Sequence, residues 1–217
     1  MKFPIRYRHF EKIEKHAWLL GILTAFMVSL GGLAEITPLF MEAHRVQPAD
    51  NIKPYGPLRL AGRDIYVREG CHVCHSQMIR KLQFETQRYG PYSVASESVY
   101  DRPFQWGSKR TGPDLARVGG KYTDAWQREH LIAPRSLVPE SNMPAYPWLA
   151  EATIDPADIQ ARMRALRALG DPYSSESIAE APEALKNKTE LDALVAYLQG
   201  LGRNRPSPDA LKGGAVP

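Results

Sequence analysis

With 217 residues, 43% of them hydrophobic and 24% charged, the chain has length for one globular domain plus an appendage. The net charge of +4 is uneven: Lys2, Arg6, Arg8, Lys12 and Lys15 precede residue 17 against only Glu11 and Glu14, whereas from residue 42 onward 23 basic residues face 21 acidic ones. A nucleic-acid binder concentrates positive charge on its folded domain, so nucleic acid is not an expected partner.

The basic residues 1–16 lead into AWLLGILTAFMVSLGGLAEITPLFM, residues 17–41, which carry no charge from Ala17 to Ala34. That run matches the roughly 20 apolar residues a helix needs to cross the hydrocarbon core. A cleaved signal peptide is the competing reading, with Gly32-Leu33-Ala34 as its cut site. The apolar run continues past Glu35 through Ile36 and Leu39, which a cleaved peptide does not need, so a retained single-pass anchor in membrane lipid is expected. The early basic residues put residues 1–16 in the cytoplasm by the positive-inside rule, and the outer domain in the periplasm. Ser29, Gly31 and Gly32 would let another helix approach closely. Glu35 falls near the outer end, at the interface.

Residues 42–58, with Pro48, Pro54 and Pro57, read as a linker, and a short helix over about 59–70 delivers the string CHVCH at 71–75. This string holds both cysteines of the chain. A C-x-x-C-H run reads as a c-type haem attachment site. Two thiols one helical turn apart can each add to a vinyl group on one porphyrin edge, and the following histidine offers an imidazole nitrogen to the iron. Cys71 and Cys74 are the expected thioether anchors of one covalently attached haem c, and His75 is the proximal ligand. A thioredoxin-like site would follow a strand. A zinc site would need a second Cys/His cluster, and a disulfide at this spacing would be strained. His72 reads as a solvent-facing residue.

The stretch 76–122 is rich in Gly, Pro, Ser, Tyr and Arg, with little sustained periodicity, and so long an irregular segment points to function or contact. Arg80, Arg88, Tyr89, Phe104 and Trp106 make 76–110 an expected docking surface. Three further helices are predicted. One runs from Asp124 to about Ala133, capped by Thr123 or Asp124. Another, Pro156–Leu169, has Asp155 as its cap and Ile159, Met163, Leu166 and Leu169 on one face. The last begins at Thr189, with Leu191, Leu194, Val195 and Leu198 as its apolar stripe. The outer domain is thus expected over 59–203 and a flexible tail over 204–217.

The distal iron ligand must come from Met78, Met143, Met163, His44, His72 or His130. Met78 lies too near His75 to reach the opposite face. Met163 sits on an apolar stripe, where methionine is usually filler, and His130 lies in a helix one turn from Trp126 as a packed or surface residue. Met143 sits in PESNMPAYPW, where Pro139, Pro144 and Pro147 stiffen the backbone. Met143 is the expected ligand, and a His/Met pair raises the reduction potential. Arg110 and Lys121 are candidates to meet the haem propionates.

The string RTGPDLARVGG, residues 110–120, resembles the Gly-Pro-x-Leu segment of class I cytochromes c. The resemblance implies that the Pro113 carbonyl accepts the second N–H of His75; an ordinary proline turn is the alternative. Together EGCHVCHSQMIR at 69–80, ETQRYGPYS at 85–93, VYDRPFQWGSKRTGPDLARVGGKY at 99–122 and HLIAPRSLVPESNMPAYPWL at 130–149 resemble the mono-haem subunit of bacterial cbb3-type cytochrome c oxidases. Lys81-Leu82 departs from that family's pattern. The resemblance implies a mainly α protein: one transmembrane helix, then a class I cytochrome c-like haem domain with a long irregular insertion. It also implies electron relay, not catalysis by this chain alone, from a multi-haem cytochrome c subunit to a haem-copper subunit of the bacterial inner membrane that reduces oxygen to water. The alternatives are the cytochrome subunit of nitric oxide reductase, a free membrane-tethered carrier, and a haem sensor.

Overall fold

The computed structural model describes residues 7–42, 46–49, 51–107 and 109–203. The first residues of the expected cytoplasmic segment, His44 in the linker, and the expected tail lie outside the described residues. The chain divides into two compact units, residues 1–47 and 48–217.

The first unit holds α1 (Tyr7–Lys15) and α2 (Ala17–Glu42). In α1, Lys15 pairs with Glu11 at 2.5 Å, one turn back. Within α2, Ala17–Pro38 has a mean hydropathy of 1.9 and is long and apolar enough to cross a membrane. Its 22 residues rise about 33 Å, close to the thickness of a hydrocarbon core. Two of the three hydroxyls on this stretch turn back to their own helix: Ser29 donates to the Ala25 carbonyl at 2.7 Å and Thr37 to that of Leu33 at 2.6 Å. These two donors are therefore not left unsatisfied in lipid. Trp18, Ile22, Met27, Val28 and Leu33 are exposed on this helix, an apolar surface that needs a non-aqueous environment.

The second unit contains α3 (Pro57–Arg68), α4 (Cys71–Cys74), α5 (Gln83–Tyr89), α6 (Asp124–Ile132), α7 (Pro134–Leu137), α8 (Pro156–Ala168), α9 (Ser175–Ala179), α10 (Ala181–Leu185) and α11 (Glu190–Gly200). Among the described residues there is no β-strand, only an isolated bridge between Thr153 and Thr189. The mainly helical class and the single apolar N-terminal helix agree with expectation.

The core is organised by α3 against α11. Leu60, Ile65 and Tyr66 of α3 meet Leu194, Tyr197 and Leu198 of α11, all nearly inaccessible to solvent. Close approach depends on Gly62, where a β-carbon would collide with the Ala193 backbone and lie 2.8 Å from Cβ of Tyr197. Tyr66 and Tyr55 pack on Tyr197 with ring centroids 5.4 and 5.8 Å away. The start of α11 is fixed by a capping box between Thr189 and Asp192. Arg68 of α3 and Arg128 of α6 reach across to its first-turn acids, Glu190 and Asp192.

Several expectations shift. The predicted helix at 59–70 runs Pro57–Arg68, with proline at its first position. In α8, Ile159 and Met163 are buried and Leu166 packs on the core, but Leu169 is 63% exposed. The helix ends at Ala168, and Gly170 at φ 102° turns the chain away. The stretch 76–122 is less irregular than predicted, since it contains α5 and a 3-10 turn at Ala95–Glu97.

Gly62→Ala is expected to overpack the α3–α11 contact by about 2 kcal/mol. Thermal melting of the detergent-purified protein should show this as a loss of roughly 4–8 °C.

Candidate haem site

The site begins at the end of α3, where Gly70 adopts the left-handed conformation (φ 72°) and turns the chain into α4. The single turn of α4 sets Cys71 and Cys74 three residues apart on the same helix, and both are free thiols. Cys71 packs against the core. Burial, helped by the nearby Glu69 carboxylate, pushes its thiol up to about 12. His72 and Val73 between the cysteines are exposed.

After α4 the chain extends at His75 (φ −118°, ψ 123°) and runs beside residues 112–115. Gly112 N–H donates to the Cys74 carbonyl at 3.0 Å, and Leu115 N–H donates to that of Ser76 at 2.9 Å. Between these two bonds His75 Nδ1 lies 2.8 Å from the Pro113 carbonyl oxygen. A carbonyl can only accept, so Nδ1 carries the proton and Nε2 keeps its lone pair for a metal. A β-carbon at Gly112 would run into the imidazole, so only glycine leaves room for the ring there. On the other side Tyr66 donates its hydroxyl to the His75 carbonyl at 3.3 Å.

The residues after His75 and Pro113 are joined as well. Ser76 Oγ donates to Asp114 Oδ2 at 2.6 Å, and the Met78 N–H donates to the same oxygen at 3.0 Å. Arg110 donates to Ser76 Oγ, the Met78 carbonyl and Glu85 Oε2, each at 2.8 Å. Arg80 closes on Glu85 from outside. Glu85 is fully buried, and the hydrogen bonds from Arg110 and Arg80 hold its carboxyl down at about 2. Arg110, a candidate for the propionates by sequence, is committed to this network. The other candidate, Lys121, is exposed and lies over the Tyr122 ring at 5.6 Å.

Met143 is half-buried and packs against the core. Its loop is pinned to α6 by Tyr146 N–H donating to the Leu131 carbonyl at 2.9 Å, and to α7 by Arg135 Nε donating to the Ser141 carbonyl at 3.1 Å. Met163 is inaccessible within the core, too enclosed to reach an iron. His130 is half-buried, with its ring stacked on Trp126 at 4.6 Å. Its Nδ1 is buried with no hydrogen-bond partner. Desolvation, together with the charge of nearby His75, lowers its pKa.

The segment 76–110 is half core and half surface. Ile79, Glu85, Asp101 and Gln105 are buried, whereas Leu82, Phe84 and Phe104 are exposed. Tyr89, expected at a docking surface, is seated against the guanidinium of Arg110 at 5.1 Å. Phe104 stacks on Trp106 at 5.0 Å. The Trp106 carbonyl accepts the N–H of Gln77 at 2.9 Å, so this pair lies beside the CHVCH turn.

Among the described residues no three or more His, Cys, Asp or Glu side chains are grouped to hold a metal ion by themselves. A ring of nitrogens from outside the protein would supply what is missing. The donor set fits such a group: a histidine with its Nε2 lone pair free, a thioether on a pinned loop, two free thiols on one turn, and a buried imidazole nitrogen with no protein partner.

The family model for Cytochrome C oxidase, mono-heme subunit/FixO matches residues 10–189. The chain belongs to this family, which is a mono-haem subunit of a cytochrome oxidase complex. Among curated proteins none matches the chain.

Replacing Glu85 with Gln removes the buried carboxylate that Arg110 meets at 2.8 Å and is expected to cost about 3 kcal/mol at neutral pH. Because the folded-state pKa of Glu85 is depressed, its contribution is present above about 4.5 and lost as pH falls towards about 2. Denaturation followed between those pH values should show a shallower decline for Glu85→Gln than for the parent protein.

Proposed function

We propose that this member of the family relays electrons through one haem c, bound by thioether links at Cys71 and Cys74 and ligated by His75 and Met143. The receiving partner is a haem-copper catalytic subunit that reduces oxygen to water, and a multi-haem cytochrome c subunit is the donor. The observation that carries the reading is the His75 Nδ1 contact with the Pro113 carbonyl, 2.8 Å long, next to two free thiols on one turn. That contact selects the tautomer a metal ligand needs and restrains rotation of the ring.

The bound iron supplies a one-electron couple. His75 would hold the iron through Nε2, its basicity raised by the hydrogen bond at Nδ1. Met143 would hold it with a soft thioether, which would favour the reduced iron and raise the potential. With both ligands supplied by the protein, the group would carry electrons and not bind oxygen. The paired backbone of 74–76 and 112–115 keeps His75 in one geometry through a change of charge, so little rearrangement accompanies each electron.

Helix α2 is read as a retained single-pass anchor in the bacterial inner membrane, with residues 1–16 in the cytoplasm and the haem domain in the periplasm. Lys12 and Lys15 next to the apolar run support that orientation. Exposed Val73, Phe104 and the Trp106 stacked on it cluster by the cysteine turn, where a partner would come nearest the thioether edge. Aromatic residues of this kind are typical anchors of protein contacts.

Two measurements test the reading. Met143→Leu should remove the weak sulfur-to-iron absorbance band of the oxidised protein and lower its midpoint potential; an unchanged band assigns the ligand elsewhere. Phe104→Ala with Trp106→Ala should leave haem attachment intact but reduce the amount of b-type haem that co-purifies in mild detergent and slow oxygen consumption. Normal assembly and turnover would remove this patch as the docking surface.

A further inference from the structure

His130 is the one residue of the site that neither the sequence motif nor the ligand set accounts for. In α6 it follows Trp126 by four residues, so both lie on the same helical face. Tyr122 stacks on Trp126 at 4.0 Å and Trp126 on His130 at 4.6 Å, with planes 16° and 15° apart. The imidazole is the inner end of a three-ring stack whose outer end, Tyr122, is exposed. Stacking fixes the plane of the ring, and Thr123 fixes the helix start by accepting the Trp126 N–H at 3.2 Å.

Within that fixed ring Nδ1 is buried and meets no protein acceptor or donor. Buried polar atoms are almost always satisfied, so an orphan on a ring held this firmly calls for a partner outside the chain. Two observations say where that partner is. His130 lies within electrostatic range of His75. The residue after it, Leu131, accepts the N–H of Tyr146, three residues beyond Met143, at 2.9 Å. His130 therefore sits on the helix to which the Met143 loop is tied, in the neighbourhood of His75.

We propose that His130 is a potential-setting residue of this site, donating a hydrogen bond from Nδ1 to an electron-rich atom of the haem assembly. The acceptor is the Met143 thioether sulfur or a haem propionate oxygen. Either bond withdraws electron density or compensates negative charge near the iron, and either stabilises the reduced state. The stack on Trp126 is what keeps the donor aimed. This inference rests on the haem reading above.

The test is a redox titration of the full-length, haem-loaded protein carrying His130→Phe, His130→Leu or His130→Gln. Covalent haem content is measured first, so that a chain without haem overturns the underlying reading and not this one. Where haem is present, Phe and Leu should lower the midpoint potential, and Gln, which keeps an N–H donor, should restore part of the shift. A displaced sulfur-to-iron band accompanying the lower potential identifies Met143 as acceptor, and an unmoved band with a lower potential identifies a propionate. If Phe prevents haem loading, Leu against Gln gives the same comparison. Unchanged potentials in the loaded Phe or Leu variants, or an equal fall with Gln, would overturn the proposal.

Discussion

The short pairing between residues 74–78 and 112–116 is the constraint on which the rest of the second unit depends. Backbone bonds from Gly112 and Leu115 hold the two stretches in register, and the imidazole of His75 sits between them because Gly112 has no side chain. Everything nearby serves to keep that register. Asp114 accepts from Ser76 Oγ and from the backbone of Met78 and Ala116. Its burial next to Glu85 would leave two carboxylates in a poor medium for charge without Arg110 and Arg80. The network also explains why some 35 residues can intervene between the two stretches without loosening them: the intervening chain is stitched back at Glu85, and again at Ser93, whose hydroxyl accepts the Ile79 N–H at 3.0 Å.

What could be read from sequence was what chemistry forces to be local. CHVCH could be read as a haem-attachment string because two thiols and an imidazole that are to meet one ring have to be contiguous. The caps of α6, α8 and α11 were visible for the same reason, since Thr123, Asp155 and Thr189 each accept a backbone N–H two or three residues ahead. The α5 helix was not visible. In QFETQRY the buried residue is Glu85 and Phe84 is 62% exposed, which inverts the usual amphipathic pattern. A charge that is buried because arginines from elsewhere reach it leaves no periodic signal.

The same limit applies to Arg110 and His130. By composition Arg110 is a free cation near a cofactor, and only the fold reveals that its donors are taken by Ser76, Met78 and Glu85. His130 looks like an ordinary helical histidine until its Nδ1 is found buried without a partner. The four-residue spacing to Trp126 was a cue only to the stack itself, because side chains four apart share a helical face.

The α3–α11 contact also bears on the order in which the protein is made. Arg68 and Glu190, which join across it, are separated by 122 positions, so α3 cannot bury its apolar face until nearly the whole chain has been synthesised. The cysteine turn directly after α3 exists long before that. During this interval the turn that carries both thiols follows a helix whose apolar face is still open. The packing around Cys71, which leans on that core, is therefore completed only when α11 closes over α3, which makes the C-terminal helix the last piece of the thiol turn's surroundings to arrive.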